Sequence, residues 1–152
     1  MIDFRMAQLS DAPELKKLND LFNGEGCNTY EAIEESLERN EQEIVCVAVD
    51  GNKLVGFCCG QLLKSMCYPY NYAEITELYV MDDYRRQGVG RHLLQFTENL
   101  LIKREVKHLH VLTGDNNIVA QELYRSCGYA DTSEILLDKN ITSGQHDPKL
   151  VV

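Results

Sequence analysis

Two periods of apolar residues run along this sequence, strict alternation and recurrence every third or fourth position, and they mark strands and helices respectively. Residues 2 to 9 read as a short strand. Ser10-Asp11-Ala12-Pro13-Glu14 follows, offering a side-chain oxygen to a helix N-terminus and a proline where a missing N–H is harmless. Leu15, Leu18, Leu21 and Phe22 recur at helical spacing until Asn23-Gly24-Glu25-Gly26 breaks the pattern. A second helix opens at Thr29 and Tyr30 and buries Ile33 with Leu37. Strands from Glu43 to Asp50 and from Lys53 to Leu63 meet at Asp50-Gly51-Asn52-Lys53, a glycine-bearing hairpin turn between β-branched runs. Beyond the irregular, aromatic stretch Met66-Cys67-Tyr68-Pro69-Tyr70-Asn71-Tyr72 lies a strand from Ala73 to Val80. A glycine-bearing turn then leads into a helix from about Gly88 to Arg104. A strand at Leu109 to Thr113, a helix at Ile118 to Cys127 and a last strand near Glu134 to Leu137 complete the order.

That order implies an α/β (α+β) single domain, with a mixed central sheet of about six to seven strands and about four helices on its two faces. Residues 140–152 show no periodicity and read as a flexible C-terminal tail. Ala73 to Thr113 forms one strand–helix–strand crossover. Its loop, at the carboxyl end of the first strand, is where such folds take ligands.

Composition narrows the classes. With 44% hydrophobic residues over 152 positions, the chain can bury a core without metals or disulfides. Its 24 acidic against 15 basic side chains, a net charge of −9, argue against nucleic acid as a partner and suit a cationic one. No apolar run approaches the roughly 20 residues of a membrane helix. Met1-Ile2-Asp3-Phe4-Arg5 does not read as a signal peptide. The six cysteines contain no CxxC pair, and no histidines stand at metal-ligand spacing. Reduced, mostly buried thiols, no metal and a cytoplasmic location are therefore expected.

The crossover loop carries the chemistry. It reads Val80-Met81-Asp82-Asp83-Tyr84-Arg85-Arg86-Gln87-Gly88-Val89-Gly90-Arg91-His92. Two glycines two apart let successive amides turn into one concavity at a helix N-terminus, where unpaired donors and partial positive charge collect. Arg85, Arg86 and Arg91 add three cations to a chain that is otherwise acidic. Together these make a pyrophosphate cradle. A nucleoside-triphosphate loop would need Lys-Ser or Lys-Thr where Arg91-His92 stands. A dinucleotide fingerprint would need a third glycine and a downstream acid, and neither is present.

Arg85-x-x-Gly88-x-Gly90, placed after Ile75-Thr76-Glu77-Leu78-Tyr79-Val80, resembles the acyl-CoA signature of the GNAT N-acetyltransferase superfamily. The resemblance continues in Asn117-x-x-Ala120-x-x-Leu123-Tyr124-x-x-x-Gly128-Tyr129 and in the opening Arg5-Met6-Ala7-x-x-x-Asp11. It implies a GNAT-like fold, with residues 1–139 as an acetyl-CoA-binding N-acetyltransferase domain. Backbone groups of the Leu78-Tyr79-Val80 segment would then hold the pantetheine arm. The stretch Arg86, Gln87, Gly88, Val89, Gly90, Arg91 and His92 would hold the pyrophosphate, with Arg85 and Arg91 supplying charge. Asn117 would contact the cofactor, and Tyr124 would sit by the thioester sulfur, able to protonate the departing thiolate.

A primary amine accepts an acyl group only when neutral, so a base must take its proton. Glu74 and Glu77 are the candidates on the strand. On a regular strand they face opposite sides, and Glu74 shares parity with Thr76, Leu78 and Val80, the face that would line the cleft, which makes Glu74 the preferred base; a bulge would bring Glu77 round instead. Cys127, with no neighbouring base, is not read as a nucleophile, so direct attack in a ternary complex is expected. The segment Val80 to Arg85 and the later Asn117…Tyr124 are similar to those of polyamine and aminoglycoside acetyltransferases, although Thr76 stands where the polyamine enzymes carry a glutamate. Tyr68, Tyr70 and Tyr72 would suit a cationic acceptor, because ring faces attract ammonium groups. The alternatives are an acetyltransferase for protein N-termini or lysines and a non-catalytic CoA-binding module. A homodimer is the expected assembly, with neither nucleic acid nor membrane as partner.

Overall fold

The computed structural model describes residues 1–141 as one five-stranded sheet with helices on both faces. Its strands run in the order β1 (Ile2–Met6), β2 (Glu43–Asp50), β3 (Lys53–Leu63), β4 (Asn71–Val80) and β5 (Val106–Val111). The first four form an antiparallel meander, while β5 returns parallel to β4 through the crossover helix. Four helices complete the fold: α1 (Ala12–Asn23), α2 (Tyr30–Arg39), α3 (Val89–Ile102) and α4 (Ile118–Ser126).

The expected six to seven strands are thus corrected to five among the described residues. The missing one is the strand near Glu134 to Leu137, which is irregular backbone with Ile135, Leu136 and Leu137 exposed. That run is uniformly apolar, without the alternation that gives a strand one buried face. The last crossover strand also begins and ends earlier than expected, at Val106 and Val111 rather than Leu109 and Thr113. Of the expected tail, 142–152 lies outside the described residues.

Two apolar layers hold the sheet between its helices. On one face Leu93, Leu94 and Leu101 of α3 pack on Cys46, Cys58, Ala73 and Ile75, with Tyr124 of α4 joining them. On the other, Leu15 and Leu18 of α1, with Ile33 and Leu37 of α2, cover Val47, Val49, Phe57, Cys59 and Tyr79. The entry to α1 is fixed by Asp11, whose carboxylate accepts both Arg5 nitrogens at 2.6 and 2.9 Å and the Gln8 amide at 2.7 Å. The Arg5 guanidinium holds that carboxyl below the ordinary carboxylate range. Burial pushes the Cys58 thiol up to about 12 and raises those of Cys46 and Cys59, whereas Cys27 and Cys67 are exposed.

Two features of β4 position everything that follows. Its pairing with β5 ends at Ile75↔Val111, so the second half of β4 has one sheet neighbour, β3, and opens toward α3 and α4 on its other side. Within its pairing with β3, Cys59 faces Glu77 but Gly60 faces Ile75, which leaves Thr76 as one extra residue. This β-bulge turns Thr76 outward, its hydroxyl donating to the Cys59 carbonyl at 3.4 Å, and reverses the side-chain alternation beyond it.

Close approach of β3 to β4 depends on Gly56. A Cβ there would meet the Tyr79 carbonyl oxygen at 2.7 Å, a backbone atom that cannot move aside without breaking the ladder. At Gly60 the nearest atom, at 3.0 Å, is the flexible end of the Leu101 side chain. Gly56→Ala should therefore lower stability by roughly 1–3 kcal/mol, and Gly60→Ala by less. Urea unfolding of both variants checks the order.

Candidate active site

The loop after β4 behaves as its glycines and charges dictate. Arg86 adopts φ 62° and Gly88 φ 81°, two left-handed turns that fold the backbone back on itself. Gly88 has no Cβ to oppose this, but Arg86 bears a cost of about 1–2 kcal/mol, the kind of strain that accompanies a built site. The first bond within α3 runs from the His92 amide to the Gly88 carbonyl at 3.0 Å. The amides of Val89, Gly90 and Arg91 therefore precede the helix ladder and are donors for a ligand.

Gly88, Gly90 and Arg91 border a cleft of about 660 Å³ between the second half of β4, the start of α3 and α4. Leu78, Tyr79, Val80, Arg85, Arg86, Gly88, Gly90, Arg91, Asn117 and Tyr124 all line it, so the structure gathers most of the residues singled out from the sequence around one space. Five others do not line it, among them Glu74 and Glu77. Val89 is buried in the core, the Gln87 amide donates to the Asp83 carbonyl, and His92 lies against Phe4 with Nδ1 on the Gly88 carbonyl.

The arginines differ in freedom. Arg85 is tied back, its Nε donating to the Val80 carbonyl at 2.8 Å, a second nitrogen on Asp82 at 2.9 Å, and its guanidinium over the Tyr79 ring. Arg91 bridges to α4 through the Ser126 carbonyl and hydroxyl. Arg86 is fixed by its left-handed backbone, and among the described residues its guanidinium makes no hydrogen bond or ion pair. Asn117 caps α4, its Oδ1 accepting the Ala120 amide at 3.3 Å, which leaves Nδ2 as the donor for the cleft.

Tyr124 stands where two cavities meet. It lines the cleft and also a neighbouring space of about 460 Å³ that Glu74, His110, Arg125 and Tyr129 help to enclose. Burial, with the negative potential of Cys58 and Glu77, pushes its phenol up to about 12. Its ring meets that of Tyr129 edge-on, with centroids 5.7 Å apart, and Tyr129 in turn donates to Glu98 of α3 at 2.7 Å. Glu98, which no pattern along the chain singles out, thus anchors the ring that packs on Tyr124.

The bulge settles where the two acids point. Ala73 and Ile75 before it, and Leu78 and Val80 after it, all face α3. Glu74 and Glu77 therefore both face the α1 side, and Glu74 does not share a face with Leu78 and Val80 as simple alternation would have it. Glu77 is half-buried beside Asn23 at the end of α1, and its carboxyl is raised by burial and by Glu43. The cleft reaches the same side through Phe22, whose ring lies 5.3 Å from that of Tyr79.

Comparison with known proteins agrees with this fold. The sequence matches the acetyltransferase (GNAT) family over residues 12–129. An uncharacterized N-acetyltransferase of Chlorobaculum tepidum is 29% identical over 109 residues, covering 72% of this chain and 66% of that protein, so the chain aligns with just under two thirds of that relative's length. Among solved structures, an aminoglycoside acetyltransferase from an uncultured soil metagenomic sample superposes with a TM-score of 0.80 at 21% identity, over 91% of this chain and 95% of that one. AAC(6′)-Iy in complex with a CoA-containing bisubstrate analogue gives 0.80 at 14% identity, over 92% and 98% of the two chains. At these identities the structures share the fold.

Removing the Tyr129 hydroxyl leaves Glu98 without its donor, so Tyr129→Phe should cost about 1–2 kcal/mol of stability. A double-mutant cycle with Glu98→Ala, measured by urea unfolding, should return a coupling of about 1 kcal/mol.

Proposed function

The chain belongs to the acetyltransferase (GNAT) family, a family of acyltransferases, and from that premise we propose that it moves an acetyl group from acetyl-CoA to a primary amine by direct attack in a ternary complex. One observation carries this reading: the cradle of amides and arginines and the buried phenol of Tyr124 open onto a single cleft. Acetyl-CoA would supply the thioester. Donors at Val89, Gly90 and Arg91, with the charge of Arg86 and Arg91, would take its pyrophosphate, and the unpaired edge of β4 at Leu78 and Val80 would align its amide-bearing arm.

The proton traffic follows from the two perturbed groups. Glu77 is half-buried and its charge adds to the rise of the Tyr124 phenol, while Glu74 lines the neighbouring space together with Tyr124. Held above the ordinary carboxylate range, Glu77 is the better matched base for an ammonium proton, directly or through water. Tyr124, held at about 12, keeps its proton at neutral pH and gives it to the thiolate as the C–S bond breaks. No covalent enzyme intermediate is needed, and Cys127, half-buried at the end of α4, stays outside the reaction. The acceptor is a small cationic amine of the aminoglycoside or polyamine type, because both acids lie on the face that the amine would approach.

Tyr124→Phe should lower kcat by 10²-fold or more, on the order of the usual general-acid contribution, while calorimetry shows CoA binding unchanged. Glu77→Gln should remove the acid limb of the pH–rate profile, and Glu74→Gln should leave it in place. Because Tyr124 titrates near 12, the wild-type rate should not fall from loss of that proton anywhere between pH 7 and 10. Transfer to none of a panel of aminoglycosides, polyamines and amino-acid amines, despite tight CoA binding, would overturn the reading.

A further inference from the structure

Five aromatic rings gather on the α1 side of the sheet, outside the cleft. Tyr68, Tyr70 and Tyr72 stand at centroid distances of 5.5 to 5.6 Å from one another, a three-way contact. His108 stacks on Tyr72 at 5.6 Å and touches Tyr70 at 5.8 Å, and His110 lies 6.3 Å from Tyr72. Tyr68 is 50% exposed, and both histidines are exposed, so this is a surface platform rather than core. Contiguous exposed apolar surface marks binding surfaces. The rings touch one another and leave no gap for a cage, so a ligand must lie on their outer face.

The platform is aligned with the two acids. Tyr72, Glu74 and, across the bulge, Glu77 all point to the same side of β4. Neither α1 nor α2 packs there; their apolar residues cover β2, β3 and the far end of β4. With about 3.3 Å per residue, Tyr72 and Glu74 are about 7 Å apart; Tyr72 and Glu77 face Leu63 and Cys59, four steps apart on β3 because the bulge takes up one residue, and so stand about 13 Å apart along the sheet. A ring face attracts an ammonium, and a carboxylate beside it completes a site for positive charge.

We propose that the Tyr68–Tyr70–Tyr72–His108–His110 platform, with Glu74, binds a second cationic nitrogen of the acceptor. The acceptor is then an extended polycation, its reacting amine at Glu77 and another ammonium group about 13 Å away over Tyr72. The inference rests on the amine-transfer reading above and narrows it: short monoamines fill only the Glu77 end. It also gives the two glutamates separate tasks, proton removal for Glu77 and anchoring for Glu74.

Steady-state kinetics with spermine and with butylamine test this, since both present a primary aminoalkyl group and only one has distant charges. Tyr72→Leu should raise KM for spermine about tenfold with kcat changed less than twofold, and should leave butylamine unaffected. Tyr72→Phe, which keeps the ring, should restore the wild-type KM. If Tyr72→Leu does not fold, Tyr68→Leu at a half-exposed position carries the same comparison. Equal effects on the two amines, or none on either, would overturn the proposal, as would a change in sedimentation coefficient with unchanged KM, which would mark the platform as a contact between copies. Failure of the transfer reading is seen separately, as absence of turnover with any amine. Calorimetric titration of spermine then decides the platform alone: weaker binding to Tyr72→Leu than to wild type upholds it, and equal binding overturns it.

Discussion

One strand has to satisfy two neighbours that want different things from it. Along its first half β4 is clamped between β3 and β5, and there Ala73 and Ile75 are buried under α3. Along its second half it loses β5, and the free edge becomes the wall of a cleft. The extra residue at Thr76 falls at that junction. It lets Leu78 and Val80 regain the apolar face that Ala73 and Ile75 occupied, while moving Glu77 to the opposite side, next to Glu74. Without that single insertion, one of the two acids would have to sit in the α3 layer.

The electrostatic plan is built on the same junction. The chain is acidic as a whole, yet Arg85, Arg86 and Arg91 meet around the start of α3, where the helix end already carries partial positive charge. The protein does not leave these cations loose. Arg85 is latched to the end of β4 and Arg91 to the end of α4, so two of the three are spent on fixing the walls. Positive charge faces one mouth of the cleft and carboxylates line the other side of the strand. On the proposed reading, an anionic donor and a cationic acceptor would approach from opposite sides of β4 and meet near Tyr124.

Much of this was legible in the residues. Alternating and helical periods marked β2, β3 and the four helices, and the glycine–arginine loop pointed to a phosphate site because few other tasks need that combination. The order Asn117, Tyr124, Gly128, Tyr129 placed a phenol on the cleft side of α4. What could not be read there is what depends on pairing between distant segments. A bulge is a property of two strands, so the reversal at Thr76 is invisible in β4 by itself. For the same reason Glu98 gave no sign of its bond to Tyr129, and the histidines of β5 no sign of their stack on Tyr72. The run Ile135-Leu136-Leu137 had strand-like composition without a partner to make it one.

The sulfur atoms fall into two populations. Cys46, Cys58 and Cys59 are packed in the core with their thiols held protonated, so they serve as volume and not as reagents. Cys27 sits in the bend between α1 and α2, with its sulfur 3.2 Å from the Asn19 amide, and Cys67 lies one residue before the tyrosine platform; both are exposed. A maleimide dye attached at Cys67 would therefore report on the ledge beside Tyr68, with no engineered cysteine required. Any colorimetric count of CoA thiol set free by such a protein must first subtract the sulfurs that the enzyme itself offers to the reagent.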